Sequence, residues 1–115
     1  MNMMIKRLKK NKDFQVVFNQ GKSYANRQFV VYVYKQPDQP FSRLGLSVSK
    51  KMGNAVMRNH IKRFIKEIFR EISDKLEIGY DYIIISRRPV RTMTYQEMRA
   101  SLLHVLKKAG VRTDK

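Results

Sequence analysis

The chain contains no cysteine. That excludes disulfides and every thiolate-bound zinc site, and it points to a reducing, cytoplasmic setting. Acidic residues are also scarce: nine Asp and Glu stand against 25 Lys and Arg, for a net charge of +16. They are scattered at Asp13, Asp38, Glu67, Glu71, Asp74, Glu77, Asp81, Glu97 and Asp114. A two-metal nuclease needs carboxylates that converge on one point. Only Glu67, Glu71 and Asp74 lie near one another, and beside Arg70 they read as helix surface pairs. His60 and His104 are lone histidines with no second ligand at metal spacing. No apolar run approaches the ~20 residues that cross a bilayer. The start Met1-Asn-Met-Met-Ile5 runs straight into Lys6 and Arg7, too short for a signal-peptide core. Neither a catalytic site nor a metal site on the protein, nor a membrane partner, is expected.

What is present is a foldable core under a heavy positive charge. With 115 residues and 43% hydrophobic content, the expectation is one domain over residues 1–115, with a basic, flexible segment at 1–10. A pI near 10.4 implies self-repulsion that a polyanion relieves, nucleic acid before an anionic membrane. Asn11 is placed as the cap of a short helix ending at a left-handed Gly21, with Phe14, Val17 and Phe18 as one apolar stripe. Residues 28–34 are aromatic and β-branched and predict a strand. After the turn Pro37-Asp-Gln-Pro40, alternation of Leu44, Leu46 and Val48 predicts its hairpin partner. A long helix follows from about Asn54 to Leu76, with Ile61, Phe64, Ile65, Ile68, Phe69 and Ile72 on one face. Tyr82-Ile-Ile-Ile85 reads as a central strand buried on one face and covered at its ends, stopped by Arg87-Arg88-Pro89. Thr94 and Glu97 form a capping box that opens a last helix. Met98, Leu102, Val105, Leu106 and Ala109 give that helix its apolar face. The order is α-β-β-α-β-α, an α/β sandwich of helices on a small sheet.

The long helix carries the most specific signal. Opposite its apolar face lie Asn59, Lys62, Arg63, Lys66 and Arg70, and residues 50 to 66 contain no Asp or Glu. A solvated helix face usually mixes signs, because opposite charges four residues apart stabilise it. Lys62 and Lys66 are like charges at that spacing, so an external polyanion is implied. The loop Lys50-Lys51-Met52-Gly53-Asn54 adds ammonium groups and free backbone N–H groups at the positive end of the helix. It lacks the G-x-x-x-x-G-K-[ST] pattern, so a nucleoside triphosphate or other small-molecule substrate is not expected. Phe14 and Phe18, and Tyr32 and Tyr34 on one strand face, admit two readings. They are core packing, or a platform on which unpaired bases stack.

The run Ser47-Val-Ser-Lys-Lys-Met-Gly-Asn-Ala-Val-Met-Arg-Asn-His-Ile-Lys-Arg63 resembles the signature of the bacterial ribonuclease P protein subunits. Its core is Arg58-Asn59-His60-Ile61-Lys62-Arg63. Asp13-Phe14 with Phe18 and Gly21, Ala25-Asn-Arg-Gln-Phe29, and Tyr82-Ile-Ile-Ile-Ser-Arg-Arg-Pro89 agree, so the resemblance covers residues 6 to 109. It implies a fold similar to domain 2 of ribosomal protein S5, with a left-handed βαβ crossover where a right-handed one is the general rule. It implies a subunit that binds a catalytic RNA, which with Mg²⁺ removes the 5′ leader of precursor tRNA. The grip on that RNA would fall to Lys50, Lys51, Asn54, Arg58, Asn59, Lys62, Arg63 and Lys66. Lys66 stands where the family usually has Arg, which keeps the charge and loses the planar fork. The leader cleft would use Phe14, Phe18, Val30, Tyr32 and Ser47, which takes the aromatics toward function. The alternatives are a non-catalytic RNA chaperone or ribosome-associated protein, and a DNA-binding regulator. The long helix offers a major groove few base-reading residues beyond Asn59 and Arg63.

Overall fold

The computed structural model describes residues 5–114. In chain order the elements are β1 (Ile5–Arg7), α1 (Asn11–Gln20), β2 (Lys22–Ala25), β3 (Phe29–Lys35), β4 (Ser42–Ser47), α2 (Ala55–Ile72), β5 (Tyr80–Ser86) and α3 (Tyr95–Lys108). The strands make one sheet in the order β1-β4-β5-β3-β2. β3 and β5 are antiparallel, whereas β4 and β5 are parallel neighbours joined through α2, a βαβ unit.

The α-β-β-α-β-α order holds for the longer elements, and two short edge strands are added, but the expected hairpin of β3 and β4 does not form: β5 lies between them and pairs with both, because its apolar run needs the central position. β1 arises from the segment expected to be loose: Ile5–Arg7 pair in parallel with Ser42–Leu44, and Leu8 is buried. Residues 1–4 of that segment lie outside the described residues. β2 pairs antiparallel with β3, and Asn26 closes their connection by accepting from Gln28 N and Phe29 N at 3.0 and 2.8 Å. Each of these edge strands adds only one side chain to the main core, Ile5 from β1 and Tyr24 from β2, so neither shows a hydrophobic period for a sequence to reveal.

Two capping assignments change at α1. Asn11 is its first helical residue, and Lys10 is the cap, with no side-chain bond. Gly21 is extended (φ −81°, ψ 176°), not left-handed. It is needed for closeness: a Cβ there would sit 2.7 Å from the carbonyl oxygens of both Val17 and Val33.

The sheet separates two apolar clusters. Alternation on β3 sends Val31 and Val33 to the main core with Leu44, Tyr82 and Ile84 of the neighbouring strands and Ile61, Ile65, Ile68, Phe69 and Ile72 of α2. Met98, Leu102, Val105 and Leu106 of α3 close that side. On the other face Ile83 packs with Leu8 and Val17, joined by Phe14, Phe18, Tyr32, Tyr34 and Ile85. Tyr82, Ile83 and Ile84 are therefore all fully buried, and β5 is covered on both faces. A continuous apolar run is the signature of that environment.

Asp81 sits within this central strand with no exposed surface. Arg43 on the neighbouring β4 grips it with two bonds, Nε at 2.9 Å and Nη2 at 2.7 Å. Gln36 and Gln39 donate to the same carboxylate at 2.8 and 3.2 Å, and Arg43 also reaches Asp13 of α1 at 3.2 Å. Desolvation alone would raise the carboxyl pKa. The hydrogen bonds from Arg43, Gln36 and Gln39 outweigh it and hold the pKa below the ordinary carboxylate value. A depressed folded pKa stabilises the fold above the unfolded value and is lost as pH falls through the folded one. Arg43→Ala leaves a buried charge without its counter-ion and should cost about 3–5 kcal/mol in denaturant unfolding. The loss should shrink below about pH 4, where the carboxyl is protonated in the unfolded chain.

Candidate nucleic-acid interface

α2 is positioned by its entry. Lys50–Met52 form a single 3₁₀ turn, Met52 is buried beneath it, and Gly53 follows at φ +133°. A side chain at that φ is strained, and a Cβ would press on Met57 at 3.0 Å. Asn54 then caps α2, its side-chain oxygen accepting from Met57 N at 2.9 Å. The loop donates less than the sequence suggests. Met52 N and Gly53 N are already bonded to the carbonyls of Ser49 and Lys50, because the turn closes on itself. Anion attraction at this end rests more on side chains and the helix dipole than on free amides.

The expected grip residues share one surface. Lys50, Lys51, Asn54, Asn59, Arg63 and Lys66 are exposed, while Arg58 and Lys62 are half-buried. Arg58 lies back along the helix end, its Nε 3.5 Å from Asn54 O. None of these cations has a carboxylate partner among the described residues. The turn Arg88–Thr92 packs against the turn Lys50–Met52 and brings exposed Arg88 and Arg91 to the same corner. In the sequence Arg87-Arg88-Pro89 signals only a strand end, so this extension is a product of topology. Glu71, expected to pair along its own helix, instead accepts from Tyr95 Oη and Arg99 Nε of α3, both at 2.9 Å. His60 packs at a tilt against Phe64 with ring centroids 4.2 Å apart, and Phe64 meets Tyr95 edge-on. His104 lies 3.2 Å from the Asn26 amide.

The expected cleft residues lie on the α1 face of the sheet. Ser47, Ile85 and Val30 are cross-strand neighbours in one row, and Gly45, Ile83 and Tyr32 form the next row on that face. Phe14 lies over Gly45, where an added Cβ would approach its ring to 2.6 Å. Phe18 meets Tyr32 edge-on at 4.9 Å between centroids, and Phe14 and Phe18 are 6.2 Å apart. Phe14, Phe18, Val30, Tyr32 and Ser47 are all half-buried. The aromatics thus pack and also present surface, so both readings of them are physically available. Ser47 ends β4 three residues before Lys50, which joins the two surfaces at one corner.

No group of three or more His, Asp or Glu able to hold a metal ion occurs among the described residues. No described helix is long and apolar enough to cross a membrane.

Comparison with known proteins is consistent across the chain. The family described as Ribonuclease P matches residues 4–110. The ribonuclease P protein component of a Geobacillus strain (WCH70) is 59% identical over 104 residues, 90% of each chain. That of Bacillus cereus (strain 03BB102) is 54% identical over 106 residues, 92% of each. Among solved structures, the RNase P protein of Staphylococcus aureus superimposes with a TM-score of 0.86 at 50% identity, covering 91% of this chain and 95% of its own. That of Thermotoga maritima gives 0.82 at 36% identity, covering 90% and 96%.

Asn54 separates capping from binding. Asn54→Ala should cost about 1 kcal/mol of stability through the lost cap. Asn54→Asp keeps the cap but places a negative charge among the cations, so it should keep stability and weaken polyanion binding. Thermal unfolding and RNA titration of both variants check this; equal binding by Asn54→Asp and the parent would remove Asn54 from the interface.

Proposed function

The chain belongs to the ribonuclease P protein family, and we propose that it acts as the RNA-gripping and substrate-positioning subunit of that ribonucleoprotein. The basic face of α2 with its entry turn holds the catalytic RNA, through Lys50, Lys51, Asn54, Arg58, Asn59, Lys62, Arg63 and Lys66. The aromatic rows beside α1 hold the single-stranded 5′ leader of precursor tRNA, with Phe14, Phe18, Tyr32 and Val30 under the bases and Ser47 at the rim. The observation that carries this reading is the meeting of two unlike surfaces at the end of β4, one cationic and one aromatic. Cations suit a folded RNA backbone; half-buried rings suit unpaired bases.

Hydrolysis of the phosphodiester is assigned to the RNA. The acids near the aromatic rows are committed to structure, since Asp13 is paired with Arg43 and Asp81 is buried beneath it. Neither is placed to activate water. Mg²⁺, in this reading, is held by the RNA. A cytoplasmic location accords with tRNA processing in bacteria.

Reconstitution tests the function. At low Mg²⁺ the chain together with the catalytic RNA should cleave precursor tRNA, and the RNA alone should fail. Cleavage by the purified chain alone would overturn the assignment of chemistry. Phe14→Ala should weaken binding of leader-bearing substrate about fivefold, the low end of base stacking, and mature tRNA hardly at all. Equal loss for both would make Phe14 a packing residue only.

A further inference from the structure

A groove of about 450 Å³ opens at the β1 edge of the sheet, between the N-terminal segment and α2. Its origin is a mismatch in strand length. β1 ends its pairing at Leu44, with Leu8 N donating to Leu44 O, while β4 runs on to Ser47. Leu46 is therefore left half-covered at the open edge. The floor is apolar, built from Leu44, Leu46 and Phe69, with Ile5, Leu8 and Phe14 beside them. The rim is cationic, with Lys6 and Lys9 on one side and Lys62, Lys66 and Arg70 on the other. No carboxylate lines the groove, and none of these cations is ion-paired among the described residues.

We propose that this groove accepts one unpaired nucleotide of the bound RNA, its base on the apolar floor and its phosphate on the lysine and arginine rim. The proposal rests on the RNA-binding reading above and extends it to the β1 edge of the sheet, where the groove shares Phe14 with the leader cleft and none of its other residues. An inorganic anion has no use for the floor, and an uncharged apolar ligand has no use for the rim. A nucleotide uses both. The volume lies within the range of about 300–1,000 Å³ typical of small-ligand pockets, too small for a duplex. Lys62 and Lys66 belong to the cationic face of α2 as well as to the rim, so an RNA strand lying along that face can turn a single base inward. Lys6 and Lys9 thereby gain a role that nothing in their own sequence context suggests.

The test is a titration of the full-length chain, followed by NMR, with adenosine monophosphate and with inorganic phosphate at matched ionic strength. Adenosine monophosphate should bind about fivefold or more tightly than phosphate, the minimum a stacked base contributes. It should shift the Leu44 and Leu46 methyls and the Phe69 ring. Leu46→Phe fills the floor and should abolish that preference while leaving phosphate affinity unchanged. Equal affinity for the two probes in the parent chain would reduce the site to anion binding and overturn the proposal. So would shifts confined to Val30, Tyr32 and Ser47. The parent titration decides the matter even if Leu46→Phe fails to fold. Reconstituted cleavage with no nucleotide preference would sink the groove alone. Nucleotide preference without support of cleavage would sink the subunit reading and leave the groove.

Discussion

β5 occupies the centre of the sheet only because both its faces are covered. Tyr82 and Ile84 face α2 and α3, and Ile83 faces α1 and Leu8. Burying three consecutive large side chains removes the amphipathic choice that most small antiparallel sheets retain. It also forces a polar residue of that strand, Asp81, out of water, and the Arg43 fork is what makes this tolerable. Because Arg43 reaches Asp13 as well, the same group ties α1 to β4 and β5. The placement of Phe14 one residue later on α1, over Gly45, follows from that tie. The aromatic rows are thus held in place by an ion pair at the far side of α1's first turn.

The scarcity of acid acquires a meaning in three dimensions. Asp81 and Asp13 hold Arg43, Glu71 holds Arg99 and Tyr95, Asp114 holds Arg112, and Glu97 completes the Thr94 cap. These pairs brace the sheet, α3 and the C-terminal segment. The cations of α2 and its entry turn are left with no such partner. Five of the nine acids are committed in this way, and none of them faces the cationic side of α2, which keeps a field of one sign.

The long elements were legible in the sequence because each shows a period or a cap that physics requires. α2 has a full apolar stripe, an Asn54 cap and an acid-free opposite face; α3 has a capping box whose two bonds are both formed. Elements set by distant partners were not legible. β1 exists because the edge of β4 needed pairing, and β2 because the chain turns back at Asn26. The need for glycine at position 21 comes partly from a carbonyl of β3 that no local rule supplies. The site divides in the same way. The cations of α2 could be found from spacing, whereas Lys6, Lys9, Arg88 and Arg91 join that surface only through the fold.

The corner where β4 ends makes a physical demand of its own. Lys50 lies three residues after Ser47, a span of at most about 10 Å of extended chain. If the leader lies beside Ser47 and the catalytic RNA against Lys50, two phosphate backbones approach to about one Debye length at physiological salt. Their repulsion at that distance is only partly screened, so it must be met by fixed positive charge. Lys50 and Lys51 supply it from one turn, and Arg88 and Arg91 supply it from the turn packed against it. Two basic turns from distant parts of the chain meet where two strands of RNA would repel most. Neutralising that corner should therefore loosen substrate from the assembled particle more than it loosens the protein from its RNA.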